Sequence, residues 1–565
     1  MKFNEIKYES PDFEGLLKLM KTKLDELENA NSKEEYFALL KDISDKSAEF
    51  EEQYVLAYIR NTINKKDEFY EKEIEMFDEQ LPKFSELDNR LKNIRLGSKF
   101  RADFEKEFGK MVTAKDELQK DIFKPSIIED RINENKLTNE YQKLMGTAII
   151  EFDGESKNLS QMVYYTQSKD REVRKSAFQK VSDWFVENKD KLDRIYDELV
   201  KIRHEIAKKL GFESYAEVAY RSMGRVDWDR NDAKKYRDQI AECIVPLNQK
   251  LYKEQSERIG IKELKYYDIP LMFLSGNPTP VGEEKELVEA AKVMYKELSP
   301  ETHEFFTEMT EKDMMDLTAK DGKVPGGYMT FLPITKLPFI FSNFNGTSGD
   351  VDVLTHEAGH AFQGYVTRDI YPRENANAGM EIMETHSMSM EYFTHPWMHS
   401  FFGEDTEKYF YSHVVSSLYF LPYGASIDEF QEFVYDNPNA TPEERNAKYR
   451  EIEKKYLPHI DYDGNEYLES GAKWQRQGHV YEIPFYYLDY TIAQINAFQF
   501  FIKDMENHQE AWDRYLELCK LGGSIGTKEI IQKVGLNNPF EEGTISKITK
   551  ELEKYLDSLD KEKIK

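Results

Sequence analysis

His356-Glu357-Ala358-Gly359-His360 puts two imidazoles four residues apart, with a carboxylate beside the first. On a helix, residues i and i+4 share one face, about one turn apart. Two neutral imidazoles so placed can bind one Zn²⁺, and the adjacent glutamate can take a proton from the water that the ion activates. The stretch therefore predicts a zinc centre of hydrolytic type, provided that it is helical and that a third ligand exists. Thr347-Ser348-Gly349-Asp350 supplies caps and an early acid for the helix start. Val351, Leu354, Ala358, Ala361, Phe362 and Tyr365 then make its apolar face, with both histidines mid-helix.

The third ligand should be an acid or histidine brought close by folding. A second helix over residues 379–393 offers Glu381, Glu384 and Glu391 on one stripe, among Met380, Ile382, Met383, Met388 and Met390. Carboxylates in such company are costly unless paired or bound to a cation, which argues for a metal between the two helices. Spacing leaves all three glutamates open. His386, His395 and His399 are expected to face outward or to donate hydrogen bonds behind the ligands. Asp352, four residues before His356, either fixes the tautomer of a ligating histidine or simply complements the helix dipole.

Residues 326–332 and 338–344 are aromatic-rich, flanked by Gly and Pro, and read as strands. Just ahead of the histidine helix, such an edge can pair with an extended peptide; a small structural sheet is the equal alternative. Residues 479–490 hold His479, Tyr481, Tyr486, Tyr487 and Tyr490, donors that could stabilise an oxyanion opposite a metal. An aromatic stripe of this kind also serves as core packing.

The remaining chain is expected to be helical. The first ~145 residues alternate as amphipathic helices, one opened by the capping box Ser32-Lys33-Glu34-Glu35 and another spanning 67–96. Ile149-Ile150-Glu151-Phe152 followed by Asp153-Gly154 reads as a strand and turn, and Ser168 as the cap of the next helix. We expect a helical N-terminal domain over 1–150 and a catalytic domain over 151–565, whose two structural halves interleave. The 565 residues carry 78 Lys+Arg against 106 Asp+Glu, a net charge of −28 that argues against a nucleic-acid partner. No apolar run approaches the ~18–20 residues that span a bilayer, and no signal peptide is visible. Cys243 and Cys519 alone cannot build a disulfide framework, which fits a cytoplasmic protein.

The residues 356–363, read with Gly379-Met380-Glu381-Ile382-Met383-Glu384-Thr385-His386-Ser387, resemble the thimet-oligopeptidase/oligoendopeptidase F family of zinc metallopeptidases, in its shorter bacterial branch. Residues 168–174 and Leu521-Gly522-Gly523-Ser524 also resemble family segments. The resemblance implies a mainly α fold: a helical ellipsoid of two halves around a deep substrate channel, with a small β-sheet beside the zinc site. It implies one Zn²⁺ held by His356, His360 and Glu384, with Glu357 as general base. It implies His479, Tyr487 and Tyr490 as contacts to the substrate carbonyl, with Tyr481 and Tyr486 as alternatives. Substrates are expected to be short unfolded oligopeptides cut at internal bonds. Two rival readings stand beside this one: a zinc exopeptidase, and a non-catalytic helical peptide-binding protein with a structural metal. Glu357 speaks against the latter, since a structural site needs no base. Oligomeric state is not encoded in these motifs.

Overall fold

The computed structural model describes residues 1–565 except 321 and 325, and is mainly α-helical with two small sheets. The N-terminal region is built from long helices, Phe13–Glu28, Lys33–Ile63 and Glu68–Gly97. The second is capped by Ser32 as expected, with the Glu35 N–H donating to Ser32 Oγ at 3.1 Å, but the expected box does not close: the Glu35 carboxylate reaches past Ser32 and accepts the Asn31 N–H at 2.8 Å. These helices enclose a core of their own around Leu24, Tyr36, Leu40, Leu87 and Phe104. Strands β1 (Ile150–Phe152) and β2 (Glu155–Lys157) form a hairpin across Asp153 and Gly154, both at positive φ (54° and 77°). That is the turn a two-residue hairpin favours. A short helix capped by Asn158, Leu159–Thr166, follows the hairpin, and the helix after that starts two residues later than expected. Asp170, not Ser168, caps Arg171–Glu187 by accepting from the Glu172 and Val173 N–H groups; a carboxylate outcompetes a hydroxyl where the helix dipole is positive. No helix among the described residues is long and apolar enough to cross a membrane.

Two larger cores interleave along the chain. One gathers residues from Ile127 to Phe273 and from Met388 to Ile564, including Tyr481, Phe485 and Leu488. The other joins Ile6, Val55, Leu56 and Ile59 to residues from Leu287 to Tyr409 and from Phe500 to Leu536. The helix Met380–Phe393 contributes Met388 and Tyr392 to the first core and Ile382, Met390 and Phe393 to the second. It is the seam between them, hereafter the glutamate helix.

Against it lies the histidine helix, Gly349–Val366. The Ser348 side chain does not cap it. Asp350 instead reaches back, accepting from the Asn345 and Gly346 N–H groups at 2.8 and 2.7 Å, and so ties the helix to the strand before it. The two helices touch at Gly359. A Cβ there would stand 2.6 Å from the Ser387 Cα, 2.8 Å from the His386 carbonyl oxygen and 2.9 Å from the Met390 Cβ. Glycine is required by backbone contact, not by turn geometry.

The second sheet is ordered β3 (Met315–Thr318), β5 (Leu337–Phe344), β4 (Tyr328–Leu332), with β5 parallel to β3 and antiparallel to β4. Both strands expected from sequence are present, each starting within two residues of expectation. Among the described residues β4 pairs on one side only. Phe331 faces Pro338, which has no N–H, so this is a non-hydrogen-bonded pair. Alternation then turns the N–H and C=O of Met329 and Phe331 toward the open edge. The helix Lys33–Ile63 holds this hairpin. Its buried Glu52 carboxylate accepts from the Ile334 and Thr335 N–H groups and the Thr335 hydroxyl, and Thr62 Oγ1 lies 2.6 Å from the Tyr328 hydroxyl.

The loop joining the two ligand-bearing helices is clamped as well. Arg95 donates to Glu374 (2.8 Å), Lys115 to the Asn377 carbonyl (3.2 Å), and Asn375 Nδ2 to the Phe108 carbonyl (3.0 Å). From the far end of the chain, the Gly523 N–H donates to the Asn375 carbonyl at 2.8 Å. A Cβ on Gly523 would stand 2.0 Å from the Asn377 carbonyl oxygen, and one on Gly522 2.4 Å from that of Asn375.

Gly359→Ala should force the histidine and glutamate helices apart. We expect destabilisation of about 1–3 kcal/mol, read as a lower urea midpoint in the metal-free protein, and weaker metal binding measured on the same sample.

Candidate active site

His356 and His360 point their Nε2 atoms at one oxygen of Glu384, at 3.4 and 3.2 Å from Oε2. The three prospective ligand atoms lie within 4.8 Å of one another. Two imidazole nitrogens and one carboxylate oxygen are the donor set of catalytic zinc sites, which keep a fourth position open. The electrostatics fit a cation. Burial works to raise the Glu384 carboxyl, but His360 and His356 outweigh it and hold it well below its ordinary range. Burial works to lower His356, and Glu384 and Glu391 overcome it. The cluster demands positive charge, which either a protonated imidazole or a divalent cation can supply; only the cation leaves both Nε2 lone pairs to serve as ligands.

The other acids of the glutamate helix take different work. The Glu391 Oε1 lies 2.7 Å from His356 Nδ1, so Glu391, not Asp352, is the carboxylate on the free ring nitrogen. Asp352 accepts instead from the Tyr409 hydroxyl at 2.7 Å, and burial pushes its carboxyl up to about 6. Glu381 faces away, accepting from Trp228 Nε1 and the Thr527 hydroxyl. His399 is exposed as expected, but His386 and His395 are buried. His395 pairs with His413 at 2.9 Å, and His413 Nε2 lies 2.8 Å from Glu391 Oε2. His413 carries no motif that sequence alone would flag.

Glu357 is 8% exposed, buried beside the trio, and makes no hydrogen bond to the described residues. Burial raises its carboxyl, against the pull of His356 and His360. It lies beside the start of β4: a Cβ on Gly327 would come 3.8 Å from Glu357 Oε1.

The tyrosine segment meets the trio from the opposite core. Phe485 adopts a left-handed φ of 70°, a conformation that costs a bulky residue free energy and persists only where surroundings enforce it. Here Gln431 Oε1 accepts the Phe485 N–H at 3.0 Å, and buried Arg225 donates to both the Phe485 carbonyl and Asp489 at 2.8 Å. The twist delivers Tyr486, whose hydroxyl donates to Glu384 Oε1 at 2.5 Å. Tyr490 packs 4.9 Å from the Tyr486 ring; burial first, then Glu384 and Glu357, hold its phenol protonated. His479 sits 5.6 and 5.5 Å from those two rings. Its Nδ1 accepts from Gln477 Nε2 at 2.7 Å, an amide oriented by the Tyr423 hydroxyl on its oxygen, so the ring proton is on Nε2. Burial keeps this imidazole neutral.

Tyr487 lies a layer further out, between Phe420, Tyr423 and His479, and burial first, then Tyr423 and Tyr490, push its phenol up. Tyr481 is removed as a candidate. It is fully buried, stacked 3.9 Å from Tyr141, and its backbone carbonyl accepts from buried Arg203. Periodicity could not separate these tyrosines, because the left-handed residue at 485 resets the helical phase between 481 and 486.

The chain is similar to known peptidases in sequence and in fold. Residues 164–549 match the model of peptidase family M3, and residues 3–123 match the peptidase M3 N-terminal domain. The plasmid-encoded oligoendopeptidase F of Lactococcus lactis subsp. cremoris is 24% identical over 382 residues, 66% of this chain. The match spans 61% of that relative's length. The structure of PZ peptidase A with an inhibitor is 47% identical, covers 100% of both chains and has a TM-score of 0.97. That of a Bacillus anthracis str. Ames protein provisionally named oligoendopeptidase F is 43% identical over 99% of both chains, with a TM-score of 0.91. Matched by the family model over more than half its length, and superposable end to end on a protein with nearly half its residues in common, the chain belongs to peptidase family M3.

Proposed function

We propose that this protein is a zinc metalloendopeptidase that hydrolyses internal bonds of short unfolded oligopeptides. The observation that carries the reading is the juxtaposition of a His-His-Glu cluster, an unpaired buried carboxylate at Glu357, and an open strand edge leading to that carboxylate. His356 Nε2, His360 Nε2 and Glu384 Oε2 would hold the ion. Bound there, Zn²⁺ supplies Lewis acidity, making a water molecule more acidic and a carbonyl carbon more electrophilic.

The chain's own groups do the rest. The outward N–H and C=O groups of Met329 and Phe331 pair with an extended peptide as an added strand, and Gly327 lets its backbone pass close to Glu357. Glu357 takes the proton of the attacking water and returns it to the leaving amine nitrogen. His479 Nε2–H and the Tyr490 hydroxyl donate to the carbonyl oxygen as it gains charge. Tyr486 occupies Glu384 Oε1 and so directs Oε2 alone toward the histidines. Tyr487 backs His479 by packing 5.1 Å from its ring. The similarity to oligoendopeptidase F supports the substrate class, and the two unpaired cysteines suit a reducing cytoplasm.

The zinc-loaded protein should cleave peptides blocked at both ends and leave a native globular protein intact, as followed by mass spectrometry; a requirement for a free terminus would sink the endopeptidase reading. Glu357→Gln should retain zinc while losing about 10²–10⁴-fold in kcat. Tyr490→Phe should lower kcat by roughly 10²–10³-fold at nearly constant KM, whereas Tyr486→Phe should weaken zinc binding, as measured by chelator competition.

A further inference from the structure

We propose that His413 and His395, which contact neither the ligand nitrogens nor the tyrosine face, are positioning residues for the cation and act through Glu391. The inference rests on the reading of His356 as a metal ligand.

The geometry is a chain of three short contacts. His356 Nδ1 lies 2.7 Å from Glu391 Oε1, Glu391 Oε2 lies 2.8 Å from His413 Nε2, and His413 Nδ1 lies 2.9 Å from His395 Nε2. The two protons that reach Glu391 have a forced direction. A ligating imidazole must offer its lone pair at Nε2, so its proton sits on Nδ1 and is donated to Glu391. A carboxylate only accepts, so the second bond to Glu391 requires N–H at His413 Nε2. The third contact, between His413 Nδ1 and His395 Nε2, carries one proton in either direction, and both arrangements hold the His413 ring with Nε2–H on Glu391. His395 therefore holds the His413 ring in place, His413 keeps Glu391 charged and still, and Glu391 selects the tautomer of His356.

The surroundings prevent the chain from rearranging. The His413 ring is sandwiched between Tyr392, 4.6 Å away at 22°, and Tyr409, 5.4 Å away at 19°. The Tyr409 hydroxyl is anchored on Asp352, and that of Tyr392 lies 3.1 Å from Ser417 Oγ. His395 packs against Phe410 and Phe501. The three buried side chains of this relay, Glu391, His413 and His395, would be costly to hide without these bonds. Tight packing alone would be met by apolar residues.

The test is zinc affinity, measured by competition with a chromophoric chelator on wild type, His413→Phe and His413→Gln. Phenylalanine keeps a flat ring between the two tyrosines but has no N–H; glutamine keeps an N–H donor for Glu391. His413→Phe should weaken zinc binding roughly 10–100-fold, and His413→Gln should remain within about threefold of wild type, since removal of a group that acts only through its hydrogen bond is rescued by another donor. His395→Leu should weaken binding in the same direction and by less. Adding His413→Phe to Glu391→Gln should cost little beyond Glu391→Gln alone, because both break one pathway. Thermal midpoints of the metal-free proteins report on folding separately, and the visible spectrum of the Co²⁺-substituted forms reports ligand geometry without any assay of activity. Wild-type affinity in His413→Phe, or equal losses in the Phe and Gln variants, would overturn the proposal while leaving the zinc reading intact. A wild-type protein that binds no zinc would overturn both.

Discussion

A carboxylate without water around it has to find positive charge or give up its own, and Glu384 is placed where that constraint is hardest to escape. It lies on the helix that forms the seam of two hydrophobic cores, facing His356 and His360 at 3.4 and 3.2 Å. Its second oxygen is taken by Tyr486. Every neighbouring arrangement answers to this one: the glycine contact that lets the helices close, the acid behind the first histidine, and the left-handed backbone that aims the tyrosine. None of these would be worth its cost in strain or desolvation if the carboxylate could be solvated where it stands.

The parts that converge on it come from distant stretches of chain with little freedom to adjust. The histidine helix is tied by Asp350 to the loop after β5, and β5 fixes the register of β4. The tyrosine segment is held by Arg203 at the Tyr481 carbonyl and by Arg225 at Phe485 and Asp489. These buried guanidiniums are planar multi-donor forks that satisfy several acceptors at once. They carry the opposite wall of the site from a different core. Chemistry that depends on sub-ångström placement is thus supported by rigid elements on both sides rather than by surface loops.

Much of this was legible in the residues, for identifiable reasons. Helical spacing exposed the two histidines, and the strands at 328–332 and 337–344 announced themselves by aromatic content between Gly and Pro. Composition around Glu384 marked a buried acid, but spacing could not choose among Glu381, Glu384 and Glu391, because one helical stripe presents all three while tertiary packing decides what each meets. Asp352, one turn before His356, had a claim to its free ring nitrogen on sequence grounds, and lost it to Glu391 on the facing helix, which the sequence offers only as a ligand. The tyrosines were harder still. A positive φ at Phe485 has no sequence signature, since the residue is neither Gly nor Asn, and it alters which rings share a face. His413 and Arg225 act through hydrogen bonds between elements far apart in the chain, and single-sequence periodicity carries no record of such pairs.

The clamp on the loop before the glutamate helix bears on when the site can exist. All three prospective ligands lie between residues 356 and 384, yet the backbone of residues 375–378 is seated on Gly522 and Gly523, and Glu381 is held by Thr527. A chain still leaving the ribosome, with its N-terminal helices folded and its ligands already made, lacks the turn that sets the ligand helices in register and the phenol that steers Glu384. The arrangement of the three prospective ligands therefore depends on residues about 140 positions further along the chain than Glu384. During synthesis, domains generally fold from the N-terminus onward, and a chain that has not yet reached residues 522–527 lacks the contacts that seat residues 375–381.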